Sequence, residues 1–299
     1  MTVDLQPGKL PLRLASAVDR DAIRAFVAEH GSLLVRGLGL RDAAEAGAVF
    51  RQLGELRDET EGFAARKRYA QGVYSASKWP PSQQMCMHHE LSYALEPPSL
   101  MLFACLVPST TGGATPVADA AAVLAALPPE LVGRFERLGW LLVRNYNADI
   151  GASVADAFGT EERDAIESYC RAYEIQFEWK DGGALRTWQR RPAIVTHPRT
   201  GRRCWFNQVA FLNEWTMAPE LREYLVDEYG ADGLPFNTRF GNGDPIDAEV
   251  VRVINEVYEA HTTRERWQAG DLLVVDNIRT AHGREPFEGP REVVVALAE

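Results

Sequence analysis

Two residues in the stretch Met87-His88-His89-Glu90-Leu91-Ser92-Tyr93, and a histidine far downstream in Asp276-Asn277-Ile278-Arg279-Thr280-Ala281-His282-Gly283-Arg284, have the types and spacing to do chemistry. On a β-strand, side chains alternate faces, so His88 and Glu90 would share one face and His89 would take the other. An imidazole and a carboxylate on one face are two of the three ligands of a facial triad. His282 would complete a 2-His-1-carboxylate set and leave coordination positions open, which suits non-haem Fe(II) that must also take a cosubstrate and O2. An HxE triplet alone is a weak signal. Strand context, Thr115 and a late arginine strengthen it. The other histidines have plain structural readings: His30 and His261 near helix ends, His197 by a hairpin turn, and His89 on the opposite face.

The elements that must position these residues follow from periodicity. Apolar spacing predicts helices over 19–30, stopped by Gly31, and over 42–53. Ser32 to Arg36 reads as a strand. Residues 58–82 are polar, end in Pro80-Pro81, and read as a long loop leading to the site. Residues 100–107 form a continuous apolar run, a buried strand. Residues 111–116 form a turn. Asp119 caps a helix to Leu127, and Pro128-Pro129 opens another. Further strands are expected at 140–143, 175–179, 193–196, 204–209, 272–275 and 293–297. Helices are expected from Thr160, over 219–229 and over 247–261, with a Gly-rich loop at 230–245. Pairing the strand at 88 with those near 275 and 295 requires contacts across most of the chain. The expectation is therefore one domain over 1–299. Its fold class is mainly β with peripheral helices, built on a jelly-roll core.

Composition bounds the function. The 299 residues are 46% hydrophobic and 25% charged, with a formal net charge of −10. An acidic chain with no basic run is a poor partner for nucleic acid or an anionic membrane. No apolar run reaches the roughly 20 residues of a membrane span, and the N-terminus does not read as a signal peptide. Cys86, Cys105, Cys170 and Cys204 have no metal-type spacing and read as reduced thiols of a cytoplasmic protein. Cys86 reads as a small buried hydrophobe or a pocket residue.

Taken together, several motifs resemble one family. They are His88-x-Glu90-x-Ser92-Tyr93, Pro97-Pro98, Gly112-Gly113-x-Thr115-Pro116-x-x-Asp119 and Trp205-Phe206-Asn207-Gln208. They continue with Trp267-x-x-Gly270-Asp271, Asp276-Asn277 and His282-Gly283-Arg284-x-Pro286-Phe287-x-Gly289-x-Arg291. From about residue 70 onward the chain is similar to the taurine dioxygenase/clavaminate synthase-like Fe(II)/2-oxoglutarate oxygenases. It is most similar to the hydroxylases of syringomycin-type nonribosomal peptide pathways. The resemblance implies a double-stranded β-helix with iron on His88, Glu90 and His282. It implies 2-oxoglutarate as cosubstrate, with Thr115, 27 positions after His88, helping to bind it. Arg291 is the counterpart of the arginine that pairs with the far carboxylate, in a bidentate geometry a guanidinium suits. The spacing from His282 is short, so Arg284 is an alternative. Glu292 stands where relatives often carry a second arginine.

The resemblance further implies release of succinate and CO2 with hydroxylation of an unactivated C–H. Glu90 favours hydroxylation over halogenation, because related halogenases carry Ala or Gly there. The implied substrate is an amino acid oxidised at Cβ, free or tethered to a peptidyl carrier protein, in secondary metabolism such as antibiotic biosynthesis. Desaturation, cyclisation or oxidation of another small carboxylate or sulfonate are alternatives on the same fold. Ser92, Tyr93, Asn207, Arg284, Arg279 and the loop at 240–244 are candidates for substrate contact. Tyr93 also reads as core filler and Asn207 as a turn residue. Arg279 and Arg284 would meet a free carboxylate; Arg186, Arg190, Arg191, Arg199, Arg202 and Arg203 would offer a patch to an acidic carrier protein, or form a solvated face. Two other classes compete: a non-catalytic cupin-like binding module, and a zinc hydrolase on the same two histidines and glutamate.

Overall fold

Three strands from distant parts of the chain, Leu100–Val107, Leu272–Asp276 and Glu292–Ala298, lie side by side and antiparallel at the centre of an eight-stranded sheet. The computed structural model describes residues 3–6, 8–64, 66–146 and 150–299. The central strands alternate between two hydrophobic clusters. Met101, Phe103, Val275 and Val295 enter one, and Leu102, Ala104, Val274 and Ala296 the other. Burial on both faces is the reason residues 100–107 read as an unbroken apolar run. Each fully buried Leu or Val side chain there contributes about 1.5–3 kcal/mol.

One face of the large sheet carries the helices Arg20–His30 and Ala43–Leu53, packed through Ile23, Val27, Phe50 and Leu53. Both helices are capped as expected, by the side chains of Asp19 and Asp42. Gly31 ends the first at φ 86°, and a Cβ there would fall 2.3 Å from Thr280 Oγ1. The other face meets a four-stranded sheet of order Thr262–Thr263, Val117–Asp119, Thr280–Arg284, Met85–His88. Met87, Val117 and Ala281 of this smaller sheet join the same cluster as Met101 and Phe103. The two sheets make the jelly-roll core, and the smaller one carries His88 and His282.

A lateral sheet of order Gln176–Trp179, Leu185–Arg191, Trp140–Tyr146, Phe236–Phe240 packs with the helix Arg163–Ala172 around Tyr146, Ile166 and Ile175. Here the structure departs from the sequence reading. Leu185–Arg191 is a strand the pattern did not announce, because its inward side chains Thr187, Gln189 and Arg191 are polar. Phe236–Phe240 is a strand inside the expected Gly-rich loop, again with polar Asn237 and Thr238 buried. Residues 58–82 contain two short strands, Arg68–Ala70 and Val73–Ser75, and the second extends the large sheet beside Glu292–Ala298. The strand expected over 204–209 spans only Arg203–Trp205. The helix expected from Thr160 starts at Arg163, after a short helix, Val154–Phe158, that the sequence reading lacked. Among the described residues no helix is long and apolar enough to cross a membrane.

Candidate metal centre and its cavity

His88 ends its strand directly opposite His282 in antiparallel register. Glu90 lies two residues past the strand end, in a turn where Leu91 has φ 48°. The expectation that strand alternation places Glu90 is thus corrected: a turn delivers it. The three side chains still converge. One donor atom from each of His88, Glu90 and His282 lies within 4.8 Å of the others, and all three residues are buried. Glu90 Oε2 is 3.9 Å from His88 Nε2 and 3.5 Å from His282 Nε2.

Asn277 fixes the turn. Its Oδ1 accepts from the Glu90 backbone N–H at 2.8 Å, and its Nδ2 donates to the carbonyls of Glu90 and Pro98, each at 2.9 Å. His89 Nδ1 donates to the Asn277 carbonyl at 2.6 Å, so His89 has the structural role its face suggested. Aromatic rings brace the imidazoles. Phe211 stacks on His88 with centroids 4.6 Å apart, and Phe103 meets His282 edge-on at 5.2 Å.

The electrostatics suit a cation. His88 Nδ1–H donates to the Cys86 carbonyl at 2.8 Å, which leaves the Nε2 lone pair facing Glu90. Burial, then His282, pushes the His88 imidazole down to about 3, so it is neutral at pH 7. Burial raises the Glu90 carboxyl, but Arg66 and the two imidazoles outweigh it and hold the group well below the usual carboxylate range. Two imidazoles and one carboxylate are the donor set that mononuclear non-haem Fe(II) takes. Arg66, which the sequence did not single out, donates from Nη2 to Glu90 Oε1 at 2.9 Å. Nothing local distinguishes it from the neighbouring Lys67 and Arg68.

The same cavity is lined by Thr115, Arg284 and Arg291. Thr115 is buried, and its Oγ1 accepts from Trp267 Nε1 at 3.3 Å. Arg291 donates from Nε to the Gly113 carbonyl at 3.0 Å, and its guanidinium lies over the Phe287 ring. Among the described residues no carboxylate pairs with it. Burial, then Arg284, lowers its pKa to about 10, so it remains a cation. Arg284 differs. Its guanidinium donates to the carbonyls of Trp79, Pro80 and Gln83 at 3.0, 2.6 and 2.7 Å. It ties down the loop that leads to the site.

Several candidate contacts lie elsewhere. Ser92, Tyr93 and Asn207 are buried but do not line this cavity. The Tyr93 hydroxyl donates to the Glu61 carbonyl at 2.8 Å. Asn207 bridges the Ala193 carbonyl and the Val209 N–H, each at 3.1 Å, in a loop rather than on a strand. The 240–244 loop is tied back by the Gly241 N–H to the Gly139 carbonyl and does not line this cavity. Arg279 is taken up by Asp119 and the Ala28 carbonyl. Five of the six arginines of the supposed patch, all but Arg199, have side-chain partners as well. Arg186 faces Asp232, Arg190 the Leu138 carbonyl, Arg191 the Tyr173 carbonyl, Arg202 Asp119 and Arg203 Glu136. Cys86 does not line the metal cavity, and burial pushes its thiol up to about 11.

A second cavity, of about 510 Å³, lies beside the first. Phe63, Trp79 and Phe236 line it, while the same two chain segments send Arg66 and Ser77 into the metal cavity. Phe211, stacked on His88, touches both Phe63 and Trp79. A layer of aromatic side chains thus separates the larger cavity from the ligands.

A jelly-roll whose smaller sheet and adjoining turn gather two imidazoles and a carboxylate into one cavity is the architecture of a mononuclear non-haem iron oxygenase. The sequence profile described as "Taurine catabolism dioxygenase TauD, TfdA family" matches residues 3–297, and the chain belongs to that family. It is a dioxygenase that works with Fe(II), 2-oxoglutarate and O2. It is 34% identical to the dapdiamide synthesis protein DdaC of Enterobacter agglomerans, over 93% of this chain and 84% of that protein. It is 30% identical to a clavaminate synthase-like protein of Arabidopsis thaliana, over 91% of this chain and 82% of that protein. Among solved structures, a taurine dioxygenase from Burkholderia xenovorans superposes with a TM-score of 0.57 at 15% identity, covering 100% of this chain and 89% of that one. PvcB, an Fe, alpha-ketoglutarate dependent oxygenase from an isonitrile synthetic pathway, gives 0.55 at 17% identity, covering 98% and 87%. These last two likenesses concern the fold.

Proposed function

We propose that the whole chain, 1–299, is a single oxygenase domain in which His88, Glu90 and His282 hold Fe(II) while Thr115 and Arg291 secure 2-oxoglutarate. The supporting observation is the unpaired Arg291 guanidinium in the same cavity as the three ligands. A half-buried cation without a carboxylate calls for an anionic guest, and a fork-shaped guanidinium matches a carboxylate. Arg284 is the weaker choice because both its terminal nitrogens donate to loop carbonyls, which leaves only Nε without a partner. Trp267 donates to Thr115 Oγ1, which leaves the threonine's own O–H to donate to a carboxylate oxygen. No HExxH helix is present, so a zinc hydrolase has less support, and a binding module would have no use for a complete ligand set.

Bound iron with 2-oxoglutarate supplies an oxidant able to remove hydrogen from an unactivated C–H, with succinate and CO2 as coproducts. The protein's share is orientation and shielding. Phe211 and Phe103 hold the imidazoles in place. The reading for the substrate is an amino acid hydroxylated at Cβ, in secondary metabolism in the cytoplasm. It is supported by the resemblance to amino-acid hydroxylases and by the identity to a dapdiamide synthesis protein. Arg279 is engaged elsewhere and the terminal nitrogens of Arg284 hold loop carbonyls, so the support they lent to a free carboxylate weakens. Free and carrier-bound forms are therefore the two arms of the experiment. Succinate release and product mass are measured over a panel of amino acids, free and loaded on a peptidyl carrier protein. Gain of one oxygen on one form, matched by succinate, is expected. Oxygen transfer to no amino acid in either form removes the amino-acid reading, and a chlorinated product in chloride buffer overturns hydroxylation.

A further inference from the structure

We infer that Arg66 is a positioning residue that confines Glu90 to one-oxygen coordination and so keeps a coordination position free for O2. The inference rests on the metal site proposed above. Octahedral Fe(II) has six positions. Two imidazoles, one glutamate oxygen and a chelating 2-oxoglutarate fill five of them. A glutamate bound through both oxygens fills the sixth and leaves O2 no entry. Glutamate is more prone to this than aspartate, because its extra methylene lets the carboxylate head turn.

The structure divides the Glu90 carboxylate between two tasks. Oε2 faces the Nε2 atoms of His88 and His282, at 3.9 and 3.5 Å. Oε1 accepts from Arg66 Nη2 at 2.9 Å. An oxygen committed to a charge-assisted hydrogen bond in a desolvated site is costly to withdraw. Arg66 is itself held. Its Nε donates to Ser77 Oγ at 3.2 Å and lies 3.5 Å from Glu59 Oε2, and both its side chain and that of Glu59 are about a tenth exposed. Asn277 fixes the Glu90 backbone but touches neither carboxylate oxygen. Among the described residues, Arg66 is the one cation paired with Oε1.

The test uses the full chain with Fe(II) and 2-oxoglutarate, in the wild type and in Arg66→Gln, Arg66→Lys and Glu59→Gln. X-ray absorption of the Fe(II) protein reads whether the carboxylate binds through one oxygen or two. Anaerobic formation of the Fe(II)–2-oxoglutarate charge-transfer band reads cosubstrate chelation, and loss of that band after mixing with O2 reads access to the sixth position. In Arg66→Gln, a two-oxygen carboxylate and at least tenfold slower loss of the band are expected, with iron still bound. Arg66→Lys keeps the charge and one donor, so it restores part of the rate. Glu59→Gln loosens Arg66 and slows the loss by a smaller factor. One-oxygen coordination with an unchanged rate in Arg66→Gln overturns the inference. If that variant does not fold, the same result in both Arg66→Lys and Glu59→Gln overturns it. A wild type that forms no charge-transfer band takes down the metal-site reading itself. A normal wild type with indifferent variants takes down only the role of Arg66.

Discussion

At the scale of single residues, Arg291 and Arg284 make opposite predictions although they share a cavity. Truncating one side of a buried charge pair costs about 2–5 kcal/mol. Arg291→Ala should therefore raise the 2-oxoglutarate requirement well over tenfold and leave thermal stability nearly unchanged. Arg284→Ala strips three loop carbonyls of their donor, so it should lower stability first. Cosubstrate titration beside thermal melting separates the two, and the reverse pattern would hand the cosubstrate role to Arg284. His88→Ala or His282→Ala should abolish succinate formation with the fold retained; normal turnover with unchanged iron content would refute the ligand assignment. The two histidines proposed as ligands stand out in the sequence because histidine is scarce, six residues in 299, and its chemistry narrow, whereas Arg291 was reached through the family resemblance. Arg66 does not stand out, since an arginine in a polar loop looks the same whether it faces water or a carboxylate ligand.

Elements were legible where one side of the pattern is apolar. The runs at 100–107, 272–275 and 293–297, and the capped helices, announce themselves. Leu185–Arg191 and Phe236–Phe240 hide because their buried sides are polar. Gln189 meets Glu61, whose other oxygen accepts from Tyr169, so the lateral sheet is organised partly by a polar network that periodicity in hydrophobicity does not register. The ligand turn hides similarly. Its geometry is set by Asn277, on a segment that begins 187 positions after Glu90. Asn277→Ala leaves the Glu90 N–H and the carbonyls of Glu90 and Pro98 buried without partners. Each such group costs about 1–3 kcal/mol. A loss of several kcal/mol in chemical denaturation is expected, with weaker Fe(II) binding by the folded fraction. Wild-type stability in this variant would show that the turn stands without the clamp.

For the molecule as a whole, the buried neutral imidazoles couple stability to pH. His88 and His89 are pushed down to about 3 and about 4, by burial above all. Both lie below the ordinary value near 6.5. The unfolded chain therefore takes up protons that the folded chain refuses, and stability present above pH 6.5 is lost as pH falls toward 4. Two such groups amount to about 3–4 kcal/mol between pH 7 and pH 5. Urea denaturation of the metal-free protein at those two values checks this, and equal midpoints would show that the imidazoles are not buried neutral.

The large sheet has a further consequence, for the chain as it is being made. Leu100–Val107 has as its neighbours Leu272–Asp276 and Glu292–Ala298. At synthesis rates of roughly 5–20 residues per second, it leaves the ribosome on the order of ten seconds before either partner exists. Through that interval an eight-residue apolar strand lacks both of its sheet neighbours, which is the profile of a segment that joins other chains. The seam that makes the finished core deep also makes the nascent protein dependent on protection. Chains halted before Leu272 should accumulate as aggregates, whereas the completed chain closes the sheet on itself.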